Sequence, residues 1–258
     1  MEAQHKISAY TLFSGSEGNC IYISDGKTEI LIDAGVSARA VGQALAGIGS
    51  SLERISAIFV THEHIDHIRG IPVIERKYGI PVHMTAPSIF AAGFGEGMNL
   101  ISHEPLYSVT VGDMEIRSFA TSHDSAASVG YVIDTEAGRI GIATDTGYIS
   151  RKMAAELKGS RYMVLESNHD PDMLLHGSYP PTLKQRILSR MGHLSNSDCA
   201  HLAEYLADEG AERILLAHLS KDNNTPELAR SATAEIIVGG GYATEVAVAE
   251  RKTATRLV

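Results

Sequence analysis

The chain has 258 residues, 44% of them hydrophobic and 21% charged, the balance of an ordinary globular protein long enough for a well-buried core. Its formal net charge of −9 excludes a stoichiometric nucleic-acid-coating protein, which needs a basic surface. No apolar run reaches membrane-spanning length, residues 1–6 lack the apolar region of a signal peptide, and Cys20 and Cys199 form no disulfide framework, so a cytoplasmic protein with no membrane partner is expected.

Residues 6–12 and 19–23 read as a first pair of strands around the tight loop Ser14-Gly15-Ser16-Glu17-Gly18-Asn19. Glu29-Ile30-Leu31-Ile32-Asp33-Ala34-Gly35 is a strand and turn, and residues 37–46 a helix with Ser37 as N-cap and its stop near Gly47. Ile58-Phe59-Val60-Thr61 is a buried strand that runs into His62-Glu63-His64-Ile65-Asp66-His67. Residues 70–78 form a short helix with Pro72 in its first turn, residues 81–85 a strand and residues 87–94 a helix.

Three later runs end on potential ligands. Ile116-Arg117-Ser118-Phe119-Ala120-Thr121 stops at Ser122-His123-Asp124, Ile140-Gly141-Ile142-Ala143-Thr144 at Asp145-Thr146-Gly147, and Arg213-Ile214-Leu215-Leu216-Ala217 at His218-Leu219-Ser220. Met163-Val164-Leu165-Glu166-Ser167 is another buried strand, and residues 197–209 and 225–236 are helices, the second with Pro226 first and Glu227 near its positive end. Residues 244–249 close the chain as a strand. Two groups of strands with helices outside each predict an α/β protein of two packed sheets with helical outer layers. Nothing divides residues 1–258, so one hydrolase domain is expected.

The stretch from His62 to His67 places three imidazoles and a carboxylate where side chains stop alternating between faces and can converge. Imidazole and carboxylate are the usual ligands of Zn²⁺, Mn²⁺ and Fe²⁺. Four ligands are too many for one catalytic ion with an open position and too close for two independent sites. Two neighbouring divalent ions are expected, His62 and His64 on one, Asp66 and His67 on the other. His123 completes the first, His218 the second, and Asp145 bridges them with a water.

The order H-x-H-x-D-H, His, Asp, His, carried here by His62, His64, Asp66, His67, His123, Asp145 and His218, resembles the metallo-β-lactamase superfamily over nearly the whole chain. The resemblance implies a four-layer αββα metallo-β-lactamase sandwich with metals along one edge between the sheets. Asp145, where many true β-lactamases carry Cys, makes the site richer in oxygen and points to the hydrolase and nuclease branches. Glu166 and His193 resemble the Glu-and-His pair of the tRNA 3′-processing branch, which favours phosphodiester chemistry. A His held by a carboxylate supplies the proton an expelled alkoxide needs, although the same pair can also serve only to order ligands. Asp66 also orients the attacking water.

More closely, Ser14-Gly15-Ser16-Glu17-Gly18-Asn19, Leu165-Glu166-Ser167-Asn168-His169-Asp170, Tyr179-Pro180 with Leu183-Lys184-Gln185-Arg186-Ile187, Gly192-His193-Leu194-Ser195-Asn196, and Ala217-His218-Leu219-Ser220 with Asn223-Asn224 resemble the YycJ/WalJ-like group of small nucleases. The group implies a Mn²⁺- or Zn²⁺-dependent exonuclease, with Fe possible, acting on DNA from a 5′ end. Glu17 departs from the small polar residue more usual there. Arg186, His169 and Ser220 are candidate substrate contacts, with Lys184 a further candidate, and Leu183, Ile187, Leu188 and Met191 form an apolar helix face. His5, His83, His103, His176 and His201 have no evident partners and read as structural. Competing readings are a glyoxalase II-like thioesterase or other small-molecule metallo-hydrolase, an RNA-processing nuclease, and a metal-binding scaffold without turnover. The intact ligand set argues against the last.

Overall fold

Successive side chains on the inner strands alternate between two cores: Ile30, Ile32, Ala57 and Phe59 enter one, and Leu31, Ile58 and Val60 enter another. With both faces covered, these strands read as unbroken apolar runs. The computed structural model describes residues 7–258, so Lys6 and His5 lie outside the described residues.

Strands β1 (Ser8–Phe13), β2 (Cys20–Ser24), β3 (Glu29–Ile32), β4 (Ile55–Phe59), β5 (Val82–Thr85) and β6 (Leu100–His103) follow one another across the first sheet. A second sheet of seven strands comprises β7 (Ser108–Val111), β8 (Met114–Ala120), β9 (Val129–Thr135), β10 (Gly138–Ala143), β11 (Tyr162–Glu166), β12 (Arg213–Ala217) and β13 (Glu245–Val248), again in sequence order. The final strand β14 (Thr255–Arg256) returns to the first sheet and pairs with β1, Tyr10 opposite Arg256. From β3 to β6 the strands are parallel, as they are from β10 to β13.

Helices α1 (Ala38–Gly47), α2 (Ile65–Ile68), α3 (Ile71–Tyr78) and α4 (Ala86–Ala92) belong to the first half of the chain. Val41, Leu45, Ile71 and Ile74 pack on the outer face of the first sheet beside Leu31 and Ile58. In the second half come α5 (Arg151–Leu157), α6 (Pro171–His176), α7 (Pro181–Ile187), α8 (Asn196–Asp208) and α9 (Pro226–Gly239). Met153, Leu157, Leu202, Leu206 and Ile237 cover the outer face of the second sheet through Met163, Leu165 and Leu216. Between the sheets, Phe59 and Ile32 meet Tyr131, Ile142, Val164 and Leu215. This is the expected four-layer αββα sandwich.

Three local expectations change. Ile187 is buried, but Leu188 and Met191 are 49% and 47% exposed, so no continuous apolar helix face exists. The chain leaves the helix at Leu188 and turns back, with Gly192 N–H donating to Ser189 O at 2.9 Å and His193 N–H to Ile187 O at 3.0 Å. Within the metal motif, His64 caps a single helical turn, α2, that carries Asp66 and His67. His62 and His64 are in the extended segment before it. His83 and His103 find partners after all, in a stack that continues to Tyr107, with Nδ1 of His83 2.9 Å from Nε2 of His103.

That turn is held against the loop after β3. Asn19 N–H donates to Asp66 O and Gly35 N–H to Asn19 O, both at 2.8 Å. A Cβ on Gly35 would lie 1.6 Å from Asp66 O. Overpacking commonly costs ~1–3 kcal/mol, and backbone on both sides leaves little room to yield. Gly35→Ala is therefore expected to lose about 3 kcal/mol of stability and to displace Asp66. A denaturation midpoint equal to that of wild type contradicts the close packing.

Candidate metal centre

Every candidate ligand follows the C-terminal end of a strand, the edge where α/β sheets expose loops and bind ligands. β4 leads to His62 and His64, β8 to His123, β10 to Asp145 and β12 to His218, while β11 ends on Glu166 itself. Asp145 and His218 have φ of 55° and 57°, as does Asp33 beyond β3 with 61°. This left-handed conformation is unfavourable for a residue with a Cβ, and its recurrence at three strand ends of one edge marks the site.

The seven residues converge in two groups. Nε2 of His62 lies 3.0 Å and Nε2 of His123 3.3 Å from Nδ1 of His64. Oδ2 of Asp66 lies 3.5 Å from Nε2 of His67 and 3.7 Å from Nε2 of His218. Asp145 stands between the groups: Oδ2 is 3.3 Å from His67 Nε2, and Oδ1 is 3.5 Å from His218 Nε2 and 3.8 Å from His123 Nε2. Asp145 Oδ2 and His218 Nε2 are buried with no hydrogen-bond partner among the described residues. Buried polar atoms left in that condition are costly, and nitrogen and oxygen donors facing a common centre are what a divalent cation requires. The donor set fits divalent metal ions.

The opposite ring nitrogens are fixed by the protein, which decides the tautomers. His67 Nδ1–H donates to Asp33 Oδ2 at 2.7 Å, and the same carboxylate accepts Thr61 N–H at 2.8 Å and Thr61 Oγ1–H at 2.9 Å. His123 Nδ1–H donates to Gly192 O at 3.0 Å. Glu166 Oε1 accepts Nδ1–H of His193 at 2.6 Å and of His218 at 3.2 Å. Glu166 thus meets the rear of His218, in the position of an orienting group rather than a ligand. Asn19 completes the frame, its Nδ2 3.3 Å from Asp66 Oδ2.

The electrostatics separate the groups. Burial, then the surrounding imidazoles, push His62 well below the ordinary histidine range. Burial opposes charge on His67 too, yet the carboxylates of Asp145, Asp33 and Asp66 lift it to about 9. His218 is likewise raised, burial being outweighed by Asp145, Asp66 and Glu166. Burial would raise the Asp66 and Glu166 carboxyls, but His218 and His67 hold the first, and His193 and His218 the second, below the usual carboxylate range. A carboxylate-rich pocket that draws protons onto buried imidazoles has a strong demand for positive charge, which metal binding meets by displacing those protons.

Arg186 reaches the rim, its Nε donating to Asp124 Oδ2, while Asp124 Oδ1 lies 3.4 Å from His123 Nε2. His169, an expected substrate contact, is 1% exposed, its backbone bridges Ser195, and neither ring nitrogen has a hydrogen-bond partner among the described residues. Ser220 Oγ accepts Asn223 N–H at 3.2 Å, which uses it in a turn, and Lys184 Nζ donates to Leu175 O at 2.8 Å. Asp33, Thr61 and Asn19 were absent from the expected site. The pattern that singled out Asp145, an aspartate directly after an apolar strand and close before glycine, also fits Asp33.

A model of the β-lactamase superfamily domain matches residues 28–219. The chain is 39% identical to the exodeoxyribonuclease YycJ of Bacillus anthracis over 90% of its own length and 89% of that protein's. It is 38% identical to the exodeoxyribonuclease WalJ of Streptococcus pneumoniae, covering 84% of this chain and 83% of that one. Among solved structures, the metallo-β-lactamase fold protein YhfI of Bacillus subtilis superposes with a TM-score of 0.73 at 18% identity, covering 97% and 99% of the two chains. Short-form human tRNase Z gives 0.65 at 16% identity, covering 97% and 99%. At such identities the structural likeness concerns the fold.

Proposed function

Because this chain belongs to the β-lactamase superfamily, we propose that its edge site makes it a metal-dependent nuclease that removes nucleotides from DNA, working from a 5′ end. Residues 1–258 act as one hydrolase domain in this reading. The substrate class follows from the two exodeoxyribonucleases that resemble it over most of its length. The observation that carries the chemistry is the 2.6 Å bond between His193 and Glu166 beside seven converging ligands.

His62, His64 and His123 would hold one ion, Asp66, His67 and His218 a second, and Asp145 would touch both; Mn²⁺ and Zn²⁺ suit the donors, with Fe²⁺ also compatible. Such ions bring the pKa of water towards neutrality and stabilise charge on phosphoryl oxygens. The protein supplies the rest. Asp33 and Gly192 O fix the ring orientations of His67 and His123, so that Nε2 of each faces the centre. Asp66, held low by His218 and His67, stays ionised and orients an attacking water. His193, its Nδ1–H anchored on Glu166, presents Nε2 to give a proton to the departing oxygen. Arg186, tied to Asp124, borders the path of the strand.

The test is cleavage of 5′- and 3′-labelled duplex DNA and matched RNA with Mn²⁺ or Zn²⁺, comparing wild type with Asp66→Ala. Nucleotide release from one DNA end by wild type alone is expected, with Asp66→Ala slower by about 10²-fold or more. Inactivity on every nucleic acid with metals bound sinks the nuclease reading.

A further inference from the structure

The loop Ser14-Gly15-Ser16-Glu17-Gly18 borders a cleft of about 430 Å³ whose other walls include Phe13, Val36, Arg69, Arg251 and Lys252. That volume suits a ligand of small-molecule size. Two residues of its lining, Ser14 and Gly15, connect it to the metal centre. Ser14 Oγ accepts His218 N–H at 2.8 Å, and Gly15 N–H donates to Asn19 Oδ1 at 2.9 Å. Asn19 in turn contacts Asp66 and His67. The loop therefore lies one hydrogen bond from the ligand cluster through Ser14 and two through Gly15 and Asn19.

Its charge runs against that of the molecule. In a chain of net charge −9, Lys221, Arg251 and Lys252 surround the Glu17 carboxylate, and Arg69 lines the same cleft. Glu17 meets Lys252 at 2.8 Å and Lys221 at 3.8 Å. The guanidiniums are directed elsewhere: Arg69 donates to Glu17 O at 3.4 Å and Arg251 to Ser220 O at 2.9 Å. Both partners are neutral backbone carbonyls, so among the described residues neither guanidinium is hydrogen-bonded to a carboxylate. Guanidinium is the group best matched to phosphate oxygens, by charge and by its fork of donors. Phe13 and Val36 add an apolar wall for a sugar or base.

From this we infer that the cleft seats a phosphate group of the nucleic-acid strand next to the linkage being cut, held by Arg69, Arg251 and Lys252. The inference rests on the nuclease reading and deepens it by giving the strand a second, electrostatic anchor beyond Arg186. Glu17 tempers the site: its carboxylate occupies lysines that would otherwise add to the phosphate's binding. A single cationic cleft beside the catalytic edge also reconciles an acidic protein with an anionic polymer, since local potential captures a substrate that the net charge repels.

The test is binding and cleavage of labelled oligonucleotides bearing either a 5′-phosphate or a 5′-hydroxyl, in the metal-loaded protein, with Arg251→Gln, Lys252→Gln and Glu17→Gln. Arg251→Gln and Lys252→Gln are expected to weaken binding about fivefold to tenfold, flatten its salt dependence by about one ion, and raise KM more than they lower kcat. Glu17→Gln should tighten binding, an outcome that loss of structure does not produce. Weakening confined to the 5′-phosphorylated strand identifies a terminal phosphate as the occupant; equal weakening identifies an internal one. Wild-type affinity in all three variants overturns the inference, and if cleavage persists there, the nuclease reading survives without it. Variant-sensitive binding by a protein that cuts no nucleic acid would instead retain the cleft and remove the nuclease reading.

Discussion

Asp145→Asn is expected to cut nucleic-acid cleavage by about a thousandfold, because removing ion-mediated charge stabilisation withdraws several kcal/mol from the transition state. The Asp145 carboxylate approaches ligands from both groups, His123 on one side and His67 and His218 on the other. The amide keeps the shape and loses the charge. Asparagine also tolerates the left-handed backbone, φ 55° here, so the variant isolates electrostatics from strain. Metal analysis should then find fewer than two ions retained at concentrations that saturate wild type. Two ions held at unchanged affinity, with cleavage within about tenfold of wild type, would remove Asp145 from the bridging position.

His193→Ala is expected to slow oligonucleotide cleavage by about 10²- to 10⁴-fold, the usual span for loss of a positioned proton donor. The same variant acting on a thymidine 5′-p-nitrophenyl phosphate should lose far less, since nitrophenolate departs without a proton. That contrast separates proton donation from mere support of the ligands. Glu166→Gln should harm both substrates, because Glu166 Oε1 also contacts His218 Nδ1 at 3.2 Å. Equal losses by His193→Ala on the two substrates would reassign His193 to positioning His218 and His123, whose rings lie 5.3 Å and 4.9 Å from its own.

Much of the layered fold could be read from the chain because each inner strand is apolar on both faces and stops at a polar residue. Those stops, His62, His123, Asp145 and His218, are also where the site forms, so one pattern carried both fold and chemistry. Other features had no local signature. β14 is only two residues long and exists because Arg256 comes to lie opposite Tyr10, a pairing between the chain's ends. Asp33 shares the strand–aspartate–glycine pattern of Asp145, but its role of orienting a ligand becomes visible only when His67, far along the chain, presents its ring to it. The burial of His169 is the converse case. A polar residue after a strand suggests exposure, but packing against the Ser195 segment covers it.

The three residues with left-handed backbones, Asp33, Asp145 and His218, have a consequence for evolution under heat. Each conformation costs on the order of 1 kcal/mol that glycine would not incur. A library sorted for thermal endurance alone would drift towards glycine at all three positions, gaining melting temperature while discarding the side chains that define the centre. Adaptation of this enzyme to hotter habitats must then be sought in surface charge, loops and caps, remote from the edge where its chemistry is strained into place.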